Sequence, residues 1–222
     1  GDFVKISKKL LNKKNILPNQ IACVAVSAIG PCMLPIDINT KPLYPGILYG
    51  VDTRATKEIN FLNKSIGEEK IFNFGGNTLT SQSIGPKILW LRNNHPEIYE
   101  EADKIVTSTT FIVQKLTDNC VIDHYTAANF TPLYDKFNLK WSEKLSNGIT
   151  NKSKLPMLKW STEIAGNITH KASLETSLPV GIPVTVGTID AASEAISVGV
   201  KETGDMMIMY GSTMFFIGLT SR

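Results

Sequence analysis

The stretch Pro183-Val184-Thr185-Val186-Gly187-Thr188-Ile189-Asp190-Ala191-Ala192-Ser193-Glu194-Ala195 contains the change of pattern that sets the fold class. Pro183 to Gly187 is short, apolar and β-branched, which predicts a buried strand, and Asp190 to Val198 reads as a helix. A strand that stops at glycine and leads into a helix opened by a carboxylate is a building unit of α/β sheets. In open sheets of that class, ligands gather beyond the carboxyl ends of the strands. The small residues after Asp190 keep the backbone close and leave room for a ligand. A carboxylate placed there can take a proton from a substrate hydroxyl. It can equally do no more than cap its own helix.

The alternation continues outward from that stretch. Residues 3–15 predict a helix with Phe3, Ile6, Leu10 and Leu11 on one face. Ile21 to Ser27 predicts a buried strand. Cys32 to Asp37 and Leu43 to Tyr49 predict two more, joined by a turn at Asn39-Thr40. The short connection through Gly30-Pro31 predicts that Ile21–Ser27 and Cys32–Asp37 lie side by side and antiparallel. Asp52 is placed to cap a helix running to about Leu62. Phe74-Gly75-Gly76-Asn77 reads as a loop. Helices follow at Pro86–Arg92, from Pro96, and at Thr110–Leu116, with a short strand at Lys104–Thr107. Residues 130–170 are mixed and turn-rich. Asp205–Tyr210 and the apolar run from Met214 to Leu219 read as strands. The expected architecture is α/β, a mixed sheet flanked by helices.

Composition excludes several classes of protein. Among 222 residues, 42% are hydrophobic, 19% are charged and the formal net charge is +3. That balance suits an ordinary globular domain and offers no basic patch for nucleic acid. No apolar run approaches the roughly 18 residues of a membrane span. Cys23, Cys32 and Cys120 lack the spacing of a disulfide framework or zinc site, which fits a reducing cytoplasm. There is no GxxxxGK[ST] loop, no GxGxxG after a strand and no HExxH. His95, His124 and His170 lack metal-ligand spacing. Sequons at Asn63, Asn129, Asn151 and Asn167 are close to what chance gives among 16 asparagines.

Two further places carry chemistry. Tyr210-Gly211-Ser212-Thr213-Met214 sets a glycine and two hydroxyls between apolar strands. Such a turn either binds phosphate through N–H and O–H donors or is a plain hairpin. Ser27-Ala28-Ile29-Gly30-Pro31, followed by Tyr49-Gly50-Val51-Asp52-Thr53-Arg54, brings a close-approach turn together with two groups able to hydrogen-bond a polyol. The alternative is a hairpin and a capped helix with a surface arginine.

In order and spacing these segments resemble the FGGY carbohydrate kinases. Val26 to Asp37 with Pro42 to Ala55 resembles that family's substrate-side hairpin and Asp-x-Arg segment. Lys87-Ile88-Leu89-Trp90 with Pro96-Glu97-Ile98-Tyr99 resembles its Lys-Leu-x-Trp helix and the stretch that follows. Leu116-Thr117, Asp123, Ala127-Ala128, Leu133-Tyr134-Asp135 and Trp141 match a further run. Gly181-Ile182-Pro183-Val184 through Asp190, then Gly204 and Gly211-Ser212-Thr213, is the most specific match.

The resemblance implies the ribonuclease-H-like, actin-like ATPase fold and ATP-dependent phosphorylation of a sugar hydroxyl, with ATP and Mg²⁺ as cofactors. It implies that Asp190 is the general base and sugar ligand. Gly30 and Pro31 fall at sugar-contacting positions, and Gln82 falls near another. Gly211, Ser212 and Thr213 match a phosphate loop. A pentulose such as xylulose is the favoured acceptor. Ribulose, gluconate or glycerol, or a non-catalytic carbohydrate-binding role, are the alternatives. Whether the protein pairs as a homodimer is left open.

The sequence also departs from the family pattern. Ala28-Ile29-Gly30-Pro31 stands where the best-known xylulose kinases have Gly-Gln-Met-His, so the histidine expected at the sugar is absent. The phosphate loop reads Gly-Ser-Thr instead of Gly-Thr-Ser, and Asp118 replaces a glycine. The family's opening Asp-x-Gly-Thr loop is expected before Gly1 and its adenosine-holding second domain after Arg222. Residues 1–222 are therefore expected to be most of the first, sugar-binding domain, inactive alone. From the residues themselves, a complete protein whose last strand closes its own sheet remains the alternative.

Overall fold

The computed structural model describes residues 1–13, 16–210 and 214–221. In chain order the elements are α1 (Asp2–Leu11), β1 (Ser27–Ala28), β2 (Leu34–Ile36), α2 (Thr56–Ile66), α3 (Glu68–Gly75), α4 (Ile84–Asn94), α5 (Pro96–Glu101), β3 (Lys104–Val106), α6 (Ser108–Thr117), β4 (Val121–Asp123) and α7 (His124–Ala127). They continue with β5 (Tyr134–Asp135), β6 (Lys140–Trp141), α8 (Glu143–Ser146), β7 (Met157–Lys159), β8 (Ile164–Asn167), α9 (His170–Thr176), β9 (Pro183–Thr185), β10 (Thr188–Ile189), α10 (Asp190–Ser197), β11 (Met206–Tyr210) and β12 (Met214–Gly218). Among the described residues no helix is long and apolar enough to cross a membrane.

The pairing is mixed, as the sequence predicts. Val24 bridges Val184 and β1 pairs with β10, both parallel, while β8 runs antiparallel to β9. Residues 24–28, 183–189 and 164–167 thus lie side by side. Helix α6 packs on this layer, α9 packs on α6, and α1 packs on α9, where the Ser7 hydroxyl donates to the Thr176 carbonyl at 2.8 Å. Val26, Val113, Leu116, Val184 and Val186 form the core between sheet and helices. A second core, holding Met33, Ile47, Ile71, Ile84, Ile88, Ile105, Phe130 and Leu133, joins α2–α5 to the β2–β3 pair. Each such fully buried side chain stabilises the fold by roughly 1.5–3 kcal/mol relative to exposure.

Several expectations need correction. Ile21–Ser27 is not a fully buried strand: Val26 is buried, but Ala22, Cys23, Ala25 and Ser27 are exposed. Its β1 end packs against α6 and α10. It is not the antiparallel neighbour of Cys32–Asp37 either. Val24 and Val26 fit the valines of 184–186, so this segment pairs parallel with 183–189. Beyond Gly30-Pro31 the chain passes to other partners, β3 and the segment 42–47.

The turn near Asn39-Thr40 does form. Asp37 Oδ1 accepts from the Asn39 and Lys41 N–H groups at 2.9 and 2.7 Å. Helix α3 takes up Phe74 and Gly75, which the sequence reading assigned to a loop; the chain breaks only at Gly76, at φ +85°. On α1, Phe3 and Leu11 face the core, while Ile6 and Leu10 are exposed, because the partly buried ridge runs through Ser7 at four-residue spacing.

Candidate functional site

The chemistry-bearing residues gather where the β1–β10 pair ends. Because the two strands are parallel, with Ala28 opposite Ile189, both chains leave the sheet on the same side. One continues into Ile29-Gly30-Pro31 and the other into Asp190, the first residue of α10. Gly30 lies against Ile189: a Cβ at Gly30 would stand 2.9 Å from the Ile189 Cδ1 and Cγ1 atoms. Asp190 is half-buried, and its Oδ1 accepts the Ala191 N–H at 2.9 Å. That bond is local, to the N–H of the next residue. Among the described residues Oδ2 makes no hydrogen bond.

Next to Gly30-Pro31 comes the segment 47–50. Met33 and Ile47 exchange backbone hydrogen bonds of 2.9 and 2.8 Å in antiparallel register, which carries Cys32 toward Leu48. Gln82 follows beyond that segment. A Cβ on Gly50 would meet the Gln82 Nε2 at 3.2 Å, and the Ser81 hydroxyl donates to the Gly50 carbonyl at 2.9 Å. Gly30 thus packs on Ile189, Met33 pairs with Ile47, and Gly50 packs on Gln82, in neighbouring segments. Gly211, Ser212 and Thr213 lie outside the described residues; the strands on either side, β11 and β12, pair antiparallel with Tyr210 opposite Met214.

Asp52 does not cap α2, whose N-cap is Ala55. Its carboxylate grips Arg54 instead, with Nε at 2.8 and 3.0 Å and Nη2 at 2.8 Å. Burial pulls the Asp52 pKa up, but the Arg54 side chain and backbone N–H, with the Lys87 charge, hold it below the ordinary carboxylate value. The Arg54 guanidinium lies 4.7 Å from the centroid of the Trp90 ring. Tyr44, Leu48, Asp52, Arg54, Trp90 and His95 line an open concavity of about 540 Å³. Asp190 and Gly30 do not line it.

The sequence reading missed the supports. Thr109 Oγ1 donates to the Thr188 carbonyl at 3.1 Å, and Ser108 Oγ donates to the Ile29 carbonyl. The start of α6 thereby ties down both strands at the ends that lead to Gly30 and Asp190. Thr188 Oγ1 donates in turn to Asp123 at 2.8 Å. The run Thr107-Ser108-Thr109-Thr110 was the available signal, since four successive hydroxyls at a helix start exceed what one cap requires.

Comparison with known proteins bears on the family and the fold. The chain is 29% identical over 195 residues to the xylulose kinase of Lactococcus lactis, matching 87% of this chain and 38% of that protein. The crystal structure of xylulose kinase from Rhodospirillum rubrum superposes with a TM-score of 0.86 at 22% identity, over 94% of this chain and 43% of the other. That of Plasmodium falciparum glycerol kinase with ADP gives 0.83 at 27% identity, over 96% and 42%. The chain thus spans less than half the length of these relatives, and its fold is the actin-like ATPase fold of the sugar kinases. The family model described as "FGGY family of carbohydrate kinases, N-terminal domain" matches residues 2–197, and the chain belongs to that family.

Proposed function

We propose that the protein carrying this chain is an ATP-dependent carbohydrate kinase, that residues 1–222 supply its sugar side, and that a pentulose such as xylulose is the acceptor. The reading is supported above all by one observation: the parallel β1–β10 pair sets Gly30 against Ile189, the residue before Asp190, at the carboxyl ends of the strands. In this reading the acceptor lies along Gly30, Pro31 and Gln82 with its reactive hydroxyl against Asp190. The hydroxyl oxygen attacks the γ-phosphorus of Mg-ATP, its proton passes to the Asp190 carboxylate, and the bond to the β-phosphate oxygen breaks to release ADP. Gly211, Ser212 and Thr213 would donate to the transferring phosphate, and Mg²⁺, entering with the nucleotide, would supply stabilisation of the negative charge there.

Xylulose is favoured by the names of the Lactococcus and Rhodospirillum proteins. A smaller polyol is the second reading, favoured by the 27% identity to a glycerol kinase and by Pro31, which offers the acceptor no side-chain donor. The test is ADP release by the complete gene product with pentuloses, pentitols, glycerol and hexoses. Asp190→Asn should lower kcat at least roughly a hundredfold, as loss of a general base does, and leave the acceptor KM within about threefold. Near-normal turnover of that variant would remove Asp190 from the role. Absence of release with every acceptor would remove the kinase reading.

A further inference from the structure

Lys87 is an anomaly in the second core. It lies on α4 between Pro86 and Ile88 and is 1% exposed. Lysine is almost never so buried unless paired, yet among the described residues no carboxylate hydrogen-bonds to it. Its Nζ donates to two successive backbone carbonyls, those of Leu48 and of Tyr49, the latter at 3.2 Å. The next carbonyl, Gly50, is held by Ser81. Three consecutive carbonyls are thus gripped from α4 and the turn before it. The gripped segment runs between Pro31-Cys32 and Gln82, and leads into the Asp52–Arg54 pair.

A methionine would fill the same space without bringing a charge into the core. Burial disfavours the ammonium and draws its pKa down to about 8; Asp52 opposes that shift, Arg54 adds to it, and the Cys32 thiol opposes it weakly. Stability alone does not account for a cation here, because its desolvation works against folding. What the cation supplies is a fixed path for residues 48–50.

We propose that Lys87 is a positioning residue for the acceptor: it holds Leu48–Asp52 in the place where, with Pro31 and Gln82, that segment shapes the acceptor pocket. The inference rests on the kinase reading above. Lys87 touches no reacting atom, so its loss acts on acceptor capture more than on turnover. As pH rises through the Lys87 pKa, the ammonium becomes an amine, a weaker donor to both carbonyls, and capture weakens with it.

The experiment uses the complete gene product. Lys87→Met removes both charged hydrogen bonds and should raise the acceptor KM at least about tenfold, with kcat within about threefold. The wild type should show an alkaline fall in kcat/KM with an apparent pKa near 8, and the methionine variant should lack it. Hydrogen exchange at residues 48–52, corrected for intrinsic rates, should be at least about tenfold faster in Lys87→Met, and faster in the wild type at pH 9.5 than at pH 7. A folded methionine variant with wild-type KM, or one that keeps the alkaline limb, overturns the proposal. If that variant does not fold, a wild-type profile flat through pH 8 overturns it. If no acceptor is phosphorylated, the kinase reading fails by itself, and unchanged wild-type exchange at 48–52 between the two pH values shows separately that Lys87 does not hold the segment.

Discussion

The Thr188 hydroxyl donates a 2.8 Å hydrogen bond to the Asp123 carboxylate, 65 residues away in the sequence, and joins the strand that presents Asp190 to the N-cap of α7. Asp123 is 2% exposed, and the same oxygen also accepts the Tyr125 and Thr126 N–H groups at 3.0 and 3.1 Å. Asp123→Ala should therefore lose a cap and leave a buried hydroxyl unpaired, a cost of about 2–4 kcal/mol. Thr188→Val removes one bond and leaves Asp123 its two backbone donors, a cost of about 1–2 kcal/mol. Urea unfolding of both variants checks the order; equal costs would show that Asp123 acts through the Thr188 bond and that its cap contributes nothing.

Gly187, one residue before Thr188, has φ +71°, and a Cβ there would stand 2.1 Å from the Val26 carbonyl oxygen. That oxygen belongs to the backbone of the paired strand and cannot rotate away. Gly187→Ala should cost more than about 3 kcal/mol and separate residues 24–28 from 183–189. Gly46→Ala is the control, because nothing lies within 4 Å of its added carbon. It should change stability by less than about 1 kcal/mol. A soluble Gly187→Ala protein with a wild-type urea midpoint would contradict the close approach.

Much of this was legible because it is local. The change from strand period to helix at Gly187–Asp190, the Pro96 start and the Asn39-Thr40 turn are each set within a few residues. What was not legible is long-range. Nothing near Ile21–Ser27 says that its valines fit those at 184 and 186 better than the strand just beyond Gly30-Pro31. Nothing near Lys87 in the sequence says that the carbonyls of Leu48 and Tyr49 lie over it. Asp52 stands where a cap is expected, but Arg54, two residues on, offers it a charged partner at closer range than the helix N–H groups.

Acid should destabilise the fold in a defined window. In Asp135, burial raises the pKa, but the Asn138 side chain and the Asn138 and Phe137 N–H groups outweigh it, so the folded value lies below 3.8. Asp52 is lowered in the same sense. A carboxylate whose folded pKa is depressed contributes stability that is fully present above its unfolded pKa and lost as pH falls through the folded one. Stability should therefore fall from about pH 4 downward. Asp135→Asn should flatten that fall in urea titrations between pH 5 and pH 2.5. An unchanged slope would show that Asp135 does not contribute to it.

Gly30 gives the sharpest link between packing and the proposed chemistry. Its added Cβ would stand 2.9 Å from two side-chain carbons of Ile189, the residue just before Asp190. Unlike the carbonyl facing Gly187, the far end of an isoleucine can shift, so the fold should survive Gly30→Ala with a loss of about 1–2 kcal/mol. The displaced Ile189 pulls on the start of α10, and a proton acceptor moved by a fraction of an ångström loses much of its efficiency. In the complete gene product kcat should fall about tenfold or more. Ile189→Val removes Cδ1, one of the two obstructing carbons, so Gly30→Ala/Ile189→Val should regain part of that loss, whereas Ile189→Val alone should cost little turnover. Additive effects of the two changes on kcat would mean that Gly30 and Asp190 do not share a site, and the acceptor would have to be placed elsewhere.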